Sequence, residues 1–205
     1  MSNVLLLHGV ATIGLSLSEV IAAAPGLQMQ ALAGSVAQAR EALARYTPDL
    51  LVADLLQPGG NLLALLQGLR GGAGDGAPQV LVLCASADDP RLVEAIRHGA
   101  DGYFMPGRPA SLIATIEQVL RGESTMTPQI ARELMAHFDA HAVGSPLRLA
   151  EPDRLLLRWT AEGFLVSEVA RGLLLDTHQV ALRMRSIYRK LQFDVRAQRL
   201  ALMAA

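Results

Sequence analysis

The first part of the chain alternates short apolar runs with stretches in which apolar residues recur at helical spacing. Runs such as Val4–Leu7 and Leu50–Ala53 are continuously apolar, which is typical of strands buried on both faces of a parallel sheet. The predicted strands are Val4–Leu7, Leu27–Leu32, Leu50–Ala53, Val80–Leu83 and Tyr103–Met105, and the helices after them are Ile13–Ala24, Ser35–Tyr46, Asn61–Arg70, Asp88–His98 and Ala110–Arg121. Five strand–helix units predict a doubly wound α/β domain with a five-stranded parallel sheet over residues 1–122.

The remainder of the chain has only helical patterns. Thr127 can cap a helix over 127–138, and Pro128 suits its first turn. We interpret residues 123–148 as the connector between two domains. Four further helices are predicted within a second domain, residues 149–205, and these are Glu151–Glu162, Val166–Leu174, Thr177–Leu191 and Val195–Ala204.

The helix predicted from Thr177 has a buried stripe and a basic face. Its apolar positions Val180, Met184, Ile187, Tyr188 and Leu191 recur at helical spacing. The other face carries His178, Gln179, Ala181, Leu182, Arg183, Arg185, Arg189 and Lys190. Two short helices, a tight turn and an exposed basic face predict a helix-turn-helix that binds double-stranded DNA. The alternative is a three-helix bundle whose basic face is simply solvated.

Charge is unevenly distributed along the chain. Residues 1–145 carry 8 basic and 13 acidic side chains, whereas residues 146–205 carry 10 basic and 6 acidic ones. A basic segment beside an acidic body favours a polyanionic partner for the second domain.

The single cysteine, Cys84, allows no disulfide within the chain. Neither a signal pattern at Met1 nor an apolar run of membrane-spanning length is present, so we expect a soluble, cytoplasmic protein with no membrane partner.

A resemblance to a known family extends over residues 147–191. The stretch LRLAEPDRLLLRWTAEGFLVSEVARGLLLDTHQVALRMRSIYRKL resembles the LuxR-type DNA-binding domain. The matching signatures are Ala161-Glu162-Gly163, Glu168-Val169-Ala170 and Ile187-Tyr188-Arg189-Lys190-Leu191. The resemblance implies a four-helix domain whose third helix enters the major groove and whose last helix, Val195–Ala204, pairs two protomers.

Three positions depart from the LuxR-type pattern. The family usually has a basic residue where Ala181 stands, on the DNA-facing side, and often has histidine where Arg183 stands. Leu174 replaces the glycine that usually ends the second helix. We expect Arg185 to contact bases, while Arg183, Arg189 and Lys190 hold phosphates.

The whole chain resembles a response regulator of the NarL/FixJ kind, with a CheY-like receiver before the DNA-binding domain. The stretches PDLLVADLLQPGG, VLVLCASADDP and GADGYFMPGRPASL resemble the receiver's third, fourth and fifth strands with their loops. The resemblance places Asp54 at the phospho-acceptor position. It also implies an acidic pair that holds a divalent cation, a lysine that pairs with the phosphoryl group, and a threonine or serine that detects it.

Most of these groups are absent from the sequence. His8-Gly9 replaces the acidic pair, Pro106 stands at the lysine position, and Cys84 stands at the threonine position with Ser86 nearby. A single carboxylate binds Mg²⁺ weakly. We therefore predict a degenerate receiver that needs no cofactor, has weak or no Mg²⁺ binding and is not normally switched by phosphorylation of Asp54.

The function predicted from the sequence is a dimeric, DNA-binding transcription regulator, and not an enzyme. His8, Asp54 and Cys84 could suggest acid–base and nucleophilic catalysis, but no oxyanion site is indicated. Three alternatives stay open for the receiver: it acts only in dimerisation, it binds a small ligand in the vacated pocket, or it binds a partner protein there. In a further alternative, the altered helix with Ala181 and Leu182 exposed binds another regulator instead of DNA.

Overall fold

The computed structural model describes residues 1–57, 60–72, 76–86, 88–106, 111–140 and 149–204. The chain divides into two compact units, Met1–Arg121 and Gly122–Ala205. No helix in the described ranges has both the length and the apolar character needed to cross a membrane.

The first unit is a parallel sheet with helices between its strands. The strands are β1 (Ser2–Leu7), β2 (Leu27–Ala33), β3 (Leu50–Asp54), β4 (Gln79–Leu83) and β5 (Gly102–Phe104), and the helices are α1 (Ala11–Ala22), α2 (Val36–Arg45), α3 (Leu62–Gly72), α4 (Pro90–His98) and α5 (Leu112–Leu120). All neighbouring strands run parallel in the order β2-β1-β3-β4-β5. The predicted doubly wound fold is confirmed; Ala110, the predicted start of the fifth helix, lies outside the described residues.

Buried aliphatic side chains fix the sheet and align its edge. Val4, Val52 and Leu81 pack in one core with Ile116 and Val119 of α5. In the parallel register Leu7 lies opposite Ala53, and Asp54 lies opposite Leu83. The residues that follow β1, β3 and β4 therefore meet at one edge of the sheet, where ligands of doubly wound folds bind.

The described part of the second unit is helical. Its helices are α6 (Pro128–Ala140), α7 (Glu151–Glu162), α8 (Val166–Gly172) and α9 (Thr177–Ala204). Leu134 of α6, Leu156 of α7 and Val169 of α8 are buried. Trp159 packs on α8 so closely that a Cβ at Gly172 would lie 2.5 Å from its ring.

The segment expected to be a connector, 123–148, contributes to this unit. Arg132 of α6 donates a hydrogen bond to the carbonyl oxygen of Ala161 (2.8 Å), and His137 lies 2.9 Å from the carboxylate of Asp194. Helix α6 is thus packed into the second unit; residues 141–148 lie outside the described part of the chain.

Helix α9 corrects the prediction of two separate helices, Thr177–Leu191 and Val195–Ala204. The structure has one helix of 28 residues. No glycine or proline interrupts residues 191–195. Asp194, which could cap a new helix, is buried and accepts hydrogen bonds from Gln198 and the His137 ring instead. Without a breaker or a cap, the helix continues.

In the turn between α8 and α9, a leucine instead of a glycine has the left-handed backbone conformation. Leu174 has φ 55°, and its side chain is 93% exposed. The N–H of Leu175 donates to the carbonyl of Ala170 (2.9 Å), and the N–H of Leu174 donates to that of Arg171 (3.3 Å), which is a Schellman ending. The turn that the resemblance implies therefore forms at a steric cost.

Replacing Leu174 with glycine should stabilise the second unit. A left-handed backbone conformation destabilises a residue that has a Cβ by about 1–2 kcal/mol. Glycine avoids this strain, but its greater freedom in the unfolded chain offsets roughly half of the gain in stability. We expect Leu174→Gly to raise the free energy of unfolding by about 1 kcal/mol in urea titrations. Leu174→Ala removes the same exposed side chain but keeps the Cβ, so it should change little; equal stabilisation by both variants would contradict the strain argument.

Candidate functional site

Helix α9 begins with reciprocal hydrogen bonds. The Asp176 carboxylate accepts from the N–H of Gln179 (2.7 Å), and the Gln179 side-chain oxygen accepts from the N–H of Asp176 (2.9 Å). This capping box fixes the start of the helix. It also engages the amide oxygen of Gln179, which was expected to contact DNA.

The inner stripe of α9 is buried as the spacing predicts. Val180, Met184, Ile187, Tyr188 and Leu191 are buried in the described structure. This stripe orients the remaining face of the helix.

Two of the expected phosphate-binding residues are bound to a buried carboxylate. Asp153 of α7 lies 3.2 Å from the guanidinium of Arg183 and 2.5 Å from the ammonium of Lys190. Arg183 and Lys190 are seven positions apart, and both turn toward α7. Their visible role is to hold α9 against α7, which the sequence pattern did not indicate.

Arg185 also departs from its expected role. Its side chain was the candidate base contact, but the residue is only 4% exposed. On a helix, positions 181, 185 and 188 share one face. Residues 122–126 contact this face, since the N–H of Ser124 donates to the Ala181 carbonyl (3.1 Å) and the Tyr188 hydroxyl donates to the Thr125 carbonyl (2.7 Å).

Part of the expected basic face is exposed. Leu182 and Arg189 are exposed together with Ser186, and these positions form one stripe at spacings of four and three residues. His178 is also exposed, and its Nδ1 lies 3.1 Å from the Glu123 carboxylate.

In the first unit, His8 and Asp54 meet at the edge of the sheet. The Nδ1 of His8 accepts from the N–H of Val10 (3.1 Å), so a neutral ring carries its proton on Nε2. That Nε2 lies 3.8 Å from the Asp54 carboxylate. The other oxygen of Asp54 accepts from the N–H of Leu56 (3.2 Å).

Gln57 joins the ends of two strands at the same edge. Its side-chain NH₂ donates to the carbonyl of Leu7 (3.3 Å) and to that of Asp54 (3.1 Å). Its side-chain oxygen is buried and accepts no hydrogen bond from the described residues. Sequence reasoning missed Gln57, although a polar residue three positions after a strand's last residue is a detectable signal.

Cys84 follows β4 and is buried. Burial, with the nearby charges of Asp89 and Asp54, raises the pKa of its thiol to about 11. Its N–H donates to the carbonyl of Phe104 (3.0 Å). The thiol is therefore neutral at physiological pH and unsuited to act as a nucleophile.

The other residues expected at this edge lie around it. Gly9 is half-buried, whereas Ser86 and Pro106 are exposed, and the Ser86 hydroxyl accepts from the N–H of Asp88 (3.2 Å). A cavity of about 590 Å³ lies beside the edge. It is lined by Leu55, Leu56, Gln57, Gly60, Asn61, Leu62, Leu63 and Arg91, so none of the residues expected to line a ligand pocket borders it.

Comparisons with known proteins give similarity across both units. The chain is 26% identical over 184 residues to the nitrate/nitrite response regulator NarL of Escherichia coli K12, covering 88% of this chain and 84% of NarL. It is 29% identical over 185 residues to the DNA-binding transcriptional activator DevR/DosR of Mycobacterium tuberculosis, covering 89% and 84%. The resemblance to NarL/FixJ-type response regulators is confirmed.

A solved structure of the same kind has the same fold. It is RcsB from Salmonella enterica serovar Typhimurium bound to a promoter, with a TM-score of 0.56, 19% identity, and coverage of 93% of this chain and 92% of RcsB. No protein-family model matches the chain. The two relatives are a response regulator and a DNA-binding transcriptional activator.

The edge described above holds different chemistry from the receiver pattern that the resemblance implies. The His8 imidazole faces Asp54 where the resemblance implies a carboxylate, and the Gln57 side-chain NH₂ bridges the ends of β1 and β3. Among the described residues, no group of three or more His, Cys, Asp or Glu side chains could hold a metal ion.

Removing the charge of Asp153 should destabilise the second unit. Asp153→Asn leaves Arg183 and Lys190 without their buried counter-charge. We expect the free energy of unfolding to fall by about 2 kcal/mol, which is less than for fully buried pairs because both cations are partly exposed. Urea unfolding followed by circular dichroism measures the change. Glu162→Gln, an exposed charge change on the same helix, should stay within about 0.5 kcal/mol, and a similar small effect at Asp153 would show that the pair is not structural.

The thiol of Cys84 should alkylate slowly in the folded protein. With a pKa of about 11 instead of 9.0, its thiolate fraction at pH 8 is about 100-fold lower. The rate of reaction with iodoacetamide should therefore rise at least about 100-fold on unfolding in urea, and the folded-state rate should rise with pH up to 11. The chain has one cysteine, so intact mass reports this site alone. Equal rates in both states would restore the nucleophile interpretation.

Proposed function

We propose that this protein is a DNA-binding transcription regulator whose receiver acts without phosphorylation of Asp54. The observation that carries the DNA-binding part is the helix-turn-helix of α8 and α9, with a capped α9 held on α7 through Asp153 and an outward stripe of Leu182, Ser186 and Arg189. Such a helix fits the major groove, where arginine contacts phosphate or guanine and leucine packs on a thymine methyl group.

Charge and the relatives support this proposal. Residues 146–205 carry a net charge of +4, which favours binding to a polyanion. DevR/DosR is a DNA-binding transcriptional activator, and the RcsB structure contains a promoter. We propose that the present chain shares DNA binding and the regulation of transcription with these proteins.

We further propose that two copies pair through the end of α9. Phe193, Leu200, Leu202 and Met203 expose large apolar side chains there. A second copy would cover these side chains, and a dimer of this kind matches a two-fold operator.

The receiver is proposed to work without a divalent cation. Among the side chains described at its edge, Asp54 offers a carboxylate and Gln57 a buried side-chain oxygen, and no group of three or more His, Cys, Asp or Glu could hold a metal ion. The Nε2 proton of His8 faces that carboxylate, and the NH₂ of Gln57 holds the carbonyl oxygens of Leu7 and Asp54. These residues fit Mg²⁺ poorly, because it needs several oxygen ligands in a strict octahedron.

A second candidate function is a protein-interaction module that controls another regulator. It is favoured by the burial of Arg185 and the pairing of Arg183 and Lys190 with Asp153, while Leu174 and Leu182 are exposed. These features replace basic surface with apolar surface on the helix-turn-helix. Small-ligand binding at the receiver stays a prediction.

DNA binding is tested by selection from a random duplex library with the full chain and no phosphate donor. We expect a palindromic motif to be enriched. Arg189→Ala should weaken binding to that motif, since one phosphate contact is lost. The slope of the logarithm of the binding constant against the logarithm of the salt concentration should fall in magnitude by about 1. Arg40→Ala, an exposed arginine on α2, should leave both unchanged. No enrichment, together with a stable complex with another regulator, would favour the second candidate.

Phosphorylation is tested by intact mass after incubation with acetyl phosphate and Mg²⁺. We expect no adduct on the natural chain. A variant carrying His8→Asp, Gly9→Asp and Pro106→Lys, which supplies the acidic pair and the lysine, should form more adduct at Asp54. Rapid stoichiometric modification of the natural chain would refute the proposal for the receiver and leave the DNA-binding proposal intact.

A further inference from the structure

A small cavity lies between α6 and α7 in the second unit. Its volume is about 100 Å³. A cavity needs about 10–15 Å³ to hold one water molecule, so this one has room for roughly seven to ten non-hydrogen atoms. A small organic molecule is therefore the largest occupant that fits.

Four of the lining side chains are apolar, namely Met135, Phe138, Leu149 and Leu157. Met135 is half-buried and the other three are buried. An apolar group placed against these side chains is removed from water, which favours binding, and a methionine sulfur near an aromatic ring adds attraction. The cavity thus suits a molecule with an apolar body better than a bare inorganic ion.

The cavity is also lined by two arginines of α7 that have no counter-charge. Arg154 and Arg158 are four positions apart, so their side chains lie on one face of the helix and repel each other. Within the described ranges, neither guanidinium makes an ion pair or a side-chain hydrogen bond. A carboxylate between them accepts hydrogen bonds from both and removes the repulsion.

Asp139 of α6 sets the charge that the cavity accepts. Its exposed carboxylate also lines the cavity, yet among the described contacts it pairs with neither Arg154 nor Arg158. Two guanidinium groups and one carboxylate leave one positive charge, which a single negative charge balances. A second negative charge on the ligand would lie near the carboxylate of Asp139 and be repelled.

We propose that the cavity between α6 and α7 binds a small monocarboxylate with an apolar body. Arg154 and Arg158 hold the carboxylate, and Phe138 and Leu157 pack against the body. Benzoate has the size and the chemistry that this site requires. The site belongs to the second unit alone, and the proposal does not depend on DNA binding or on the receiver.

Benzoate is the probe for the test, with the full chain titrated by calorimetry and its melting temperature followed. We expect saturable binding at one site per chain and a melting temperature that rises with benzoate concentration, since the ligand contacts two helices of the folded unit. Benzamide, the neutral analogue, and inorganic phosphate, which lacks an apolar body, should each bind at least about tenfold more weakly. Equal binding of benzamide would overturn the role of the arginines, and absence of saturable benzoate binding would overturn the site.

Variants of the charged residues locate the binding. Arg154→Gln and Arg158→Gln should each weaken benzoate binding at least about tenfold, because one charge-assisted contact is lost. Asp139→Asn should bind benzoate at least as tightly as the natural chain and discriminate less against phosphate. The matched control is Arg171→Gln, an exposed arginine of α8 outside the cavity, which should leave the affinity unchanged.

Urea unfolding without benzoate shows that each variant is folded, and the two arginine variants test the site independently. Unchanged affinity in both of them, or an equal loss in Arg171→Gln, would overturn the proposal. Either result would leave the proposed DNA binding untouched.

Discussion

The pairing of one buried carboxylate with two cations decides which face of helix α9 the second unit exposes. Asp153 holds Arg183 and Lys190, which are two turns apart on α9, against α7. Isolated surface ion pairs contribute little to stability, but a carboxylate that is nearly inaccessible to solvent cannot lose its partners without a large desolvation cost. The rotation of α9 about its own axis is thereby fixed, and with it the choice of residues that face outward. Two of the eight positions in the basic face of α9 thus serve the fold.

At the edge of the sheet in the first unit, a single polar side chain likewise holds two elements together. In the pattern that the resemblance implies, a divalent cation joins the strand ends, and phosphorylation changes their charge. Here the side-chain NH₂ of Gln57 spans the carbonyl oxygens of Leu7 and Asp54, while His8 lies beside the Asp54 carboxylate. The hydrogen bonds of Gln57 join the ends of β1 and β3 through protein groups.

Residues 122–126 contact helix α9 within the second unit. Glu123 brings a carboxylate to His178, and backbone groups of Ser124 and Thr125 bond to Ala181 and Tyr188. The strained turn at Leu174 and the apolar end of α9 add exposed surface that a second protein chain could cover.

The sequence by itself determined the fold class, because strand and helix periods and turn residues are local signals. It also determined the missing receiver chemistry, because Lys190 is the only lysine in the chain and no carboxylate pair follows the first strand. Tertiary structure decided which basic residues remain exposed and that α9 continues past Leu191. It also decided that Gln57 joins two strand ends and that Glu123 lies beside His178. The physical reason is distance along the chain: Asp153 and Arg183 are 30 positions apart, and Thr125 and Tyr188 are 63 apart. Such contacts depend on how helices pack, and a pattern read along one helix assigns every basic side chain on its polar face to solvent.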